Sequence, residues 1–144
     1  MNTEETSFRW PQEKENPPMS ELFIDIAHII HTSRKDGFLA VTLFEEKEKV
    51  DVAYRILNLS IQLLQNGTDS YFRELTLETE IQKFLQHHTI NDDVLKKVLL
   101  IKKLIPIIEK QDTTYLLELS TYFCPKDTYI QIYMILKQYL EKRY

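Results

Sequence analysis

The chain has 144 residues, a formal net charge of −4 and two glycines, where average usage predicts about ten glycines. Phosphate-binding loops and the dinucleotide-binding fingerprint need closely spaced glycines, and Gly37 and Gly67 are too far apart for either. The acidic balance argues against a nucleic-acid partner. The single cysteine, Cys124, allows no intrachain disulfide.

The remaining composition favours a helical domain. Charged residues make up 28% of the chain, most of them Lys and Glu, and the apolar residues are mainly Leu and Ile. The length suits one domain. We therefore predict a single helical domain over residues 19–144.

Residues 1–18 are predicted to be a disordered tail, because they are charged, contain prolines and have few aliphatic side chains. Phe8 and Trp10 are the exceptions, and we expect them to dock on the protein's own body or on a partner. The segment has neither the basic nor the apolar region of a signal peptide. No apolar run approaches the ~20 residues of a membrane span, so we expect a cytoplasmic protein.

Apolar periodicity predicts about seven helices in antiparallel hairpins and no strands. The first helix is expected to start at an N-cap, Ser20, and to run to about Lys35, with Gly37 closing it in a left-handed turn. Its apolar stripe comprises Leu22, Phe23, Ile26, Ile29 and Ile30.

A short helix is predicted over Phe38–Glu46, followed by a charged connector and a third helix over Val50–Gln65 that Gly67 closes. The inward face of this third helix is expected to hold Ala53, Ile56, Leu57, Ser60, Leu63 and Leu64.

The fourth helix is predicted to start at a cap, Thr68 or Asp69, and to end near His87. Its expected apolar face comprises Tyr71, Phe72, Leu75, Ile81, Phe84 and Leu85. The fifth is predicted over about 93–105 with Asn91 or Asp92 as its cap, because Pro106 is expected to end or kink it.

The sixth helix is predicted to run from Asp112 or Thr113 to Phe123, and Cys124–Pro125 is expected to end it. The seventh is predicted over about 127–142. Its expected apolar face comprises Ile130, Tyr133, Met134, Leu136, Tyr139 and Leu140.

A weak internal echo links residues 29–57 to residues 107–136, at an offset of 77 to 79 positions. Two copies of a three-helix unit would explain it. Chance similarity between helices rich in Leu and Ile is the alternative.

Candidate catalytic and metal-binding residues are few. His28 and His31 are spaced to share a metal on one helix, but no third ligand accompanies them. Cys124 has no base beside it. Glu74 and Glu78 lie on what is predicted to be a solvated face, whereas acid–base catalysis needs a carboxyl group in a pocket. We therefore predict no enzyme activity, no metal and no cofactor.

The stretch 94–108 is both basic and strongly apolar. It could contact an anionic membrane surface peripherally. The alternative is a buried helix with Lys96, Lys97, Lys102 and Lys103 on its outer side.

The order of motifs in residues 24–86 resembles a known family. An aliphatic helix leads into Ser33–Val41, with sequence SRKDGFLAV, and Tyr54-Arg55-Ile56-Leu57 follows within a helix. Asn66–Asp69, with sequence NGTD, then precedes an acidic helix. This pattern is similar to the cytoplasmic segment of the MotA family of flagellar stator subunits, in which both glycine positions recur.

The resemblance implies charged contacts with the rotor, since that family's cytoplasmic helices meet the rotor switch protein through charged residues. Arg34 matches the family's rotor-facing basic position, whereas Thr42 stands where the family has an acidic residue. The family's transmembrane helices, and with them its ion path, have no counterpart in this chain.

We therefore expect a non-enzymatic, soluble protein–protein interaction module with a rotor or stator component as its partner. Exposed charges on short connectors steer association, and the expected partner-binding residues are Arg34, Lys35, Asp36, Glu45, Glu46 and Glu48. The alternative is a helical-repeat-like scaffold that binds a partner helix or peptide in an apolar groove. A pocket that enclosed His28, His31 and a carboxylate would instead indicate an enzyme.

Overall fold

The computed structural model describes residues 18–87 and 92–141, and these residues form helices, turns and loops without any strand. The predicted all-α class of about seven helices is confirmed. The elements are α1 (Met19–Asp36), a 3-10 turn (Phe38–Ala40), α2 (Glu45–Glu48), α3 (Val52–Gln65), α4 (Ser70–His87), α5 (Asp92–Lys110), α6 (Thr113–Phe123) and α7 (Lys126–Glu141). The tail up to residue 17, the predicted cap Asn91 and the predicted helix end at Lys142 lie outside the described residues.

The chain divides into two compact units, with the boundary inside α5. In the first, Thr42–Lys102, both α2 and α4 pack on α3. The second combines Pro18–Val41 with the chain from Lys103 onward, and there α1 packs against α6 and α7, which also pack against each other. The units are not the two copies suggested by the internal echo, since residues 29–57 are divided between them.

The predicted apolar stripe of α1 is confirmed, because each of its five members is buried. The predicted inward face of α3 is also buried, except for Leu64, which is half-buried. Tyr54, Leu57 and Ile61 are fully buried on α3, and Leu116, Ile132 and Leu136 are fully buried on α6 and α7. Each unit therefore has apolar side chains of its own to bury.

Aspartates cap three of the helices. Asp51 Oδ1 accepts a hydrogen bond from Ala53 N at 2.9 Å, Asp69 Oδ1 from Phe72 N at 2.9 Å and Asp112 Oδ1 from Tyr115 N at 3.1 Å. Of the two predicted caps of the fourth helix, Thr68 and Asp69, the structure confirms Asp69. The sixth helix begins at Thr113, the second of its two predicted starts, and Asp112 caps it.

Ser20 is not a cap, which corrects the prediction for α1. That helix begins one residue earlier, at Met19, and Pro18 occupies the N-cap position without a side-chain hydrogen bond. The Pro18 carbonyl oxygen accepts a hydrogen bond from Glu21 N at 3.0 Å. This backbone bond satisfies one of the N–H groups in the first turn of α1 that a capping side chain would otherwise bind.

Both glycines have positive φ, as predicted, with 87° at Gly37 and 69° at Gly67. After α3, Thr68 N donates to Leu63 O and Gly67 N donates to Leu64 O, which is the Schellman pattern of a helix end. Gly37 differs from the predicted left-handed turn: its ψ of 164° is extended, so the chain leaves α1 in a conformation that favours glycine more strongly still.

Gln111 closes α5 with a φ of 55°, in the left-handed region where a non-glycine residue is uncommon. Asp112 N donates to Ile107 O at 3.0 Å and Gln111 N donates to Ile108 O at 3.2 Å. A second helix thus ends in the Schellman pattern, here without a glycine.

Two predicted helix boundaries are wrong. The helix expected over Phe38–Glu46 is replaced by a 3-10 turn and by α2, with non-helical residues 41–44 between them. Helix α5 continues through Pro106 to Lys110. Proline removes one helical N–H, but Ile105, Ile107 and Ile108 are all buried around it, and their burial offsets that loss.

The predicted apolar faces of α4 and α7 are also partly wrong. On α4 the buried side chains are Leu77, Ile81 and Phe84, while the predicted Tyr71, Phe72 and Leu75 are exposed. On α7 Thr128, Ile132 and Leu136 are buried, while the predicted Ile130, Tyr133 and Met134 are exposed. The structure therefore leaves apolar surface on both helices.

Candidate functional site

Three of the predicted site residues, two basic and one acidic, lie together in the last turn of α1. Arg34, Lys35 and Asp36 are all exposed. Gly37 N donates to Ser33 O at 2.9 Å and ends the helix directly after them. Positive side chains in a last turn are favoured by the helix dipole, so Arg34 and Lys35 are stable in this position.

The predicted acidic site residues lie on α2, in the other compact unit. Glu45 and Glu46 are exposed, and Glu46 forms an ion pair with Lys49 at 3.0 Å. Glu48 is half-buried, and its Oε1 accepts a hydrogen bond from Asn58 Nδ2. Of the three glutamates, two are therefore presented to solvent and one anchors the helix.

Asn58 on α3 holds the entrance to α2 in place. Phe44 N donates to Asn58 Oδ1 at 2.9 Å, and Asn58 Nδ2 donates to Phe44 O at 3.1 Å. Asn58 is buried, so these bonds are shielded from water and cannot easily be replaced by it. No local pattern in the sequence indicates this role, because the partners lie 14 positions apart in the chain.

Two aromatic rings and a lysine complete the support of α2. The rings of Phe44 and Tyr54 meet edge to face, with centroids 5.5 Å apart and an interplanar angle of 69°. Lys47 Nζ lies 5.4 Å from the centroid of Phe44 and 5.2 Å from that of Tyr54. Such cation–π contacts further stabilise the four-residue helix α2 in its position.

A buried ion pair joins α3 to the first part of α5. Lys97 Nζ donates to Asp51 Oδ2, and the two side chains are only 8% and 2% exposed. Lys97 was predicted to lie on the outer side of its helix, and the structure corrects this. Its ammonium group also lies 6.0 Å from the centroid of the Tyr54 ring. The buried ion pair is therefore next to one of the rings that hold α2 in place.

The residues considered for catalysis or metal binding are not brought into a cluster. His28 is exposed, and the Nδ1 of His31 lies 3.3 Å from Gln138 Nε2. In the two ranges that the structure describes, His, Cys, Asp and Glu nowhere form a group of three that could hold a metal ion. Burial raises the pKa of the Cys124 thiol to about 11, which disfavours the nucleophilic thiolate.

The stretch considered for membrane contact is largely buried. Its buried apolar side chains are Val98, Leu100, Ile101, Leu104, Ile105, Ile107 and Ile108. Leu99 is exposed, as are Lys96, Lys102 and Lys103. None of the helices in the described part of the chain has the length and hydropathy to cross a membrane.

Comparison with family models, with curated proteins and with solved structures finds no match to this chain.

Proposed function

We propose that this chain is a non-enzymatic, cytoplasmic module that acts by protein–protein contact and is related to the cytoplasmic domain of MotA-family stators. Its partner in this proposal is a rotor or stator component of the flagellar motor. The observation that carries the proposal is the exposed pair Glu45 and Glu46 on a helix held by Asn58. A pre-organised charged surface loses little conformational entropy when it binds.

The last turn of α1 supplies a second charged surface, with Arg34 at the position that matches the family's rotor-facing basic residue. Exposed charges of this kind change the association rate and its salt dependence more than the final affinity. The positive φ of Gly37 and Gly67 supports the resemblance, because both glycines have a conformational reason to occupy those positions.

A binding measurement against purified rotor switch protein and stator cytoplasmic domain tests the proposal. We expect association that slows as salt increases, and slower association for the double variant Glu45→Lys/Glu46→Lys. Glu118→Lys is the matched control, since Glu118 is an exposed carboxylate on α6, outside the proposed surface.

Two results would count against the proposal in different ways. If neither motor component binds at low salt, the motility assignment is wrong. If a component binds and the α2 variant associates as fast as the α6 control, the partner surface lies elsewhere.

A scaffold that binds a helix or peptide is the second candidate, and the exposed apolar side chains of α4 favour it. Tyr71 is 76% exposed, and Phe72 and Leu75 are exposed beside it. Aromatic side chains are enriched in protein interfaces. If the variant Phe72→Glu abolishes partner binding while Glu45→Lys/Glu46→Lys leaves it unchanged, the scaffold is the better description.

A further inference from the structure

One side of α7 carries exposed apolar side chains directly opposite its buried face. Thr128, Ile132 and Leu136 are buried at a spacing of four residues. Ile130 and Met134 each lie two residues from two members of this buried set, and two residues turn a helix by about 200°. Ile130 and Met134 therefore point away from the buried face, and they are 54% and 56% exposed.

A charged residue extends this exposed side at each end. Asp127 precedes Ile130 by three residues, and Lys137 follows Met134 by three residues. The resulting spacing of three, four and three residues is that of the contact positions of a coiled coil. Asp127, Ile130, Met134 and Lys137 are all exposed, and we name them the α7 row.

The two charges of the α7 row are not used within the chain. In residues 18–87 and 92–141, neither Asp127 nor Lys137 forms an ion pair. Asp127 lies in the first turn of α7, where the helix dipole favours a negative charge. Both charged groups are therefore open to a partner outside the chain.

The α7 row is complementary to itself when reversed. If two copies of α7 pack antiparallel with Asp127 facing Lys137 of the second copy, Ile130 faces Met134 of the second copy, because both pairs are centred on residue 132. A two-fold axis repeats each of these contacts. Parallel packing would instead place Asp127 against Asp127 and Lys137 against Lys137, so the charges select the antiparallel arrangement.

The edges of the α7 row suit the same arrangement. Tyr133 borders one edge and Gln131 the other, since each is one residue, or about 100°, from the buried Ile132. In the antiparallel pair each of them lies next to its own copy, and both are neutral. Tyrosine is enriched in protein interfaces, and Tyr133 is 37% exposed. The two copies of Lys126 are about 18 Å apart along the helix axis.

We propose that two copies of this chain associate through the α7 row, with their α7 helices antiparallel. Every residue of this interface belongs to the second compact unit of its own chain. One helix face per copy is a smaller interface than the roughly 20–30 residues a side of a standard complex. The dimer is therefore weak, with a dissociation constant of about 10 μM to 1 mM. This inference does not depend on the proposed motor function.

Sedimentation equilibrium of the full chain over that concentration range tests the proposal. We expect the average mass to rise towards twice that of the monomer. Ile130→Glu and Met134→Glu each place two negative charges in the apolar centre of the dimer, and each is expected to weaken association at least about tenfold. Gln82→Glu is the matched control, because it adds the same charge at an exposed position of α4, and it should dimerise like the wild type.

A charge exchange tests the antiparallel register. Asp127→Lys and Lys137→Asp each bring like charges together twice, and each should weaken association by about three- to tenfold. Both substitutions in one chain restore opposite charges at both contacts, so association should return to the wild-type value. Circular dichroism should show the same helix content in all of these variants.

Three results would overturn the proposal. A chain that stays monomeric up to about 1 mM would leave the α7 row to a different partner. A dimer that Ile130→Glu and Met134→Glu leave intact would use another surface. A double charge variant that associates no better than the single ones would exclude this register.

Discussion

Thr113, the first residue of α6, buries a hydroxyl group for which the described structure provides no hydrogen-bond partner. The residue is only 1% exposed, so water does not reach the hydroxyl freely. A buried polar group without a partner costs about 1–3 kcal/mol, and valine has nearly the same shape without that group.

We predict that Thr113→Val raises the free energy of unfolding by about 1 kcal/mol. Urea denaturation with an unchanged m-value would measure this gain. Thr113→Ser is the control, because it keeps the hydroxyl and loses the methyl group, and we expect it to be less stable than the wild type. A valine variant less stable than the wild type would mean that the hydroxyl is hydrogen-bonded in solution.

Cys124 is the residue for which the structure predicts a pH dependence. Burial raises the pKa of the Cys124 thiol from 9.0 to about 11, so the thiol keeps its proton at neutral pH. We expect slow alkylation by iodoacetamide at pH 8, and a rate that rises until the pH reaches about 11. Denatured protein should react faster at pH 8, and equal rates for both forms would contradict the raised pKa.

The sign of the stability effect follows from the same shift. The unfolded chain releases this proton at a lower pH than the folded chain does, so the folded state binds more protons between the two pKa values. The contribution of the neutral Cys124 thiol to the free energy of unfolding is therefore fully present below pH 9 and declines as the pH rises towards 11.

At the scale of the elements, the buried pair Asp51–Lys97 links α3 to α5, while Asp51 also caps α3. We predict that Asp51→Ala costs about 3–5 kcal/mol, because Lys97 then stays buried without this carboxylate. The double variant Asp51→Asn/Lys97→Met should recover most of that loss, since asparagine still caps a helix. Urea denaturation of both variants measures the difference.

The ion pair between Lys102 and Glu78 is the matched comparison, with side chains 39% and 41% exposed. Removing it through Glu78→Gln should cost less than about 1 kcal/mol. If both substitutions lowered the free energy of unfolding equally, Lys97 would have to reach water when Asp51 is removed.

Asn58 controls a different element, the short helix α2. Four residues cannot form a stable helix alone, so α2 depends on the bonds between Asn58 and Phe44. We predict that Asn58→Ala increases amide hydrogen exchange over residues 42–50. Ser60→Ala is the control on the same helix, because Ser60 bonds only within it, to Leu57 O at 2.7 Å, and unchanged exchange in the Asn58 variant would refute this role.

The elements also show how far the sequence could predict this fold. Apolar periodicity located the longer helices but not α2, and it identified the buried stripe of α1, where the apolar spacing allows one face only. On α7 it failed, because Ile130, Ile132, Tyr133 and Met134 surround the helix and several faces fit equally well. Asp51–Lys97 joins residues 46 positions apart, and local patterns carry no information about such pairing.

At the scale of the whole molecule, the two compact units predict two groups of amide protons with separate opening reactions. Leu57→Ala and Leu136→Ala each remove a fully buried side chain, one in each unit. Each should cost about 2–5 kcal/mol. Native-state hydrogen exchange is expected to show the loss mainly in the unit that carries the substitution, whereas equal loss in both units would mean that they unfold as one.

The second unit is made from both ends of the described chain, because α1 packs against α6 and α7. On the ribosome α1 therefore emerges long before its packing partners. At a synthesis rate of about 5–20 residues per second, the chain from α1 to α7 takes roughly 5–20 s to complete. Until that synthesis is complete, Leu22, Phe23 and Ile26 lack their final neighbours. The first unit, whose described residues 42–102 are continuous in sequence, is synthesised in full before α6 and α7. Within the second unit, the fully buried side chains of α1 are therefore synthesised first and covered last, which makes α1 a segment where we expect a chaperone to act.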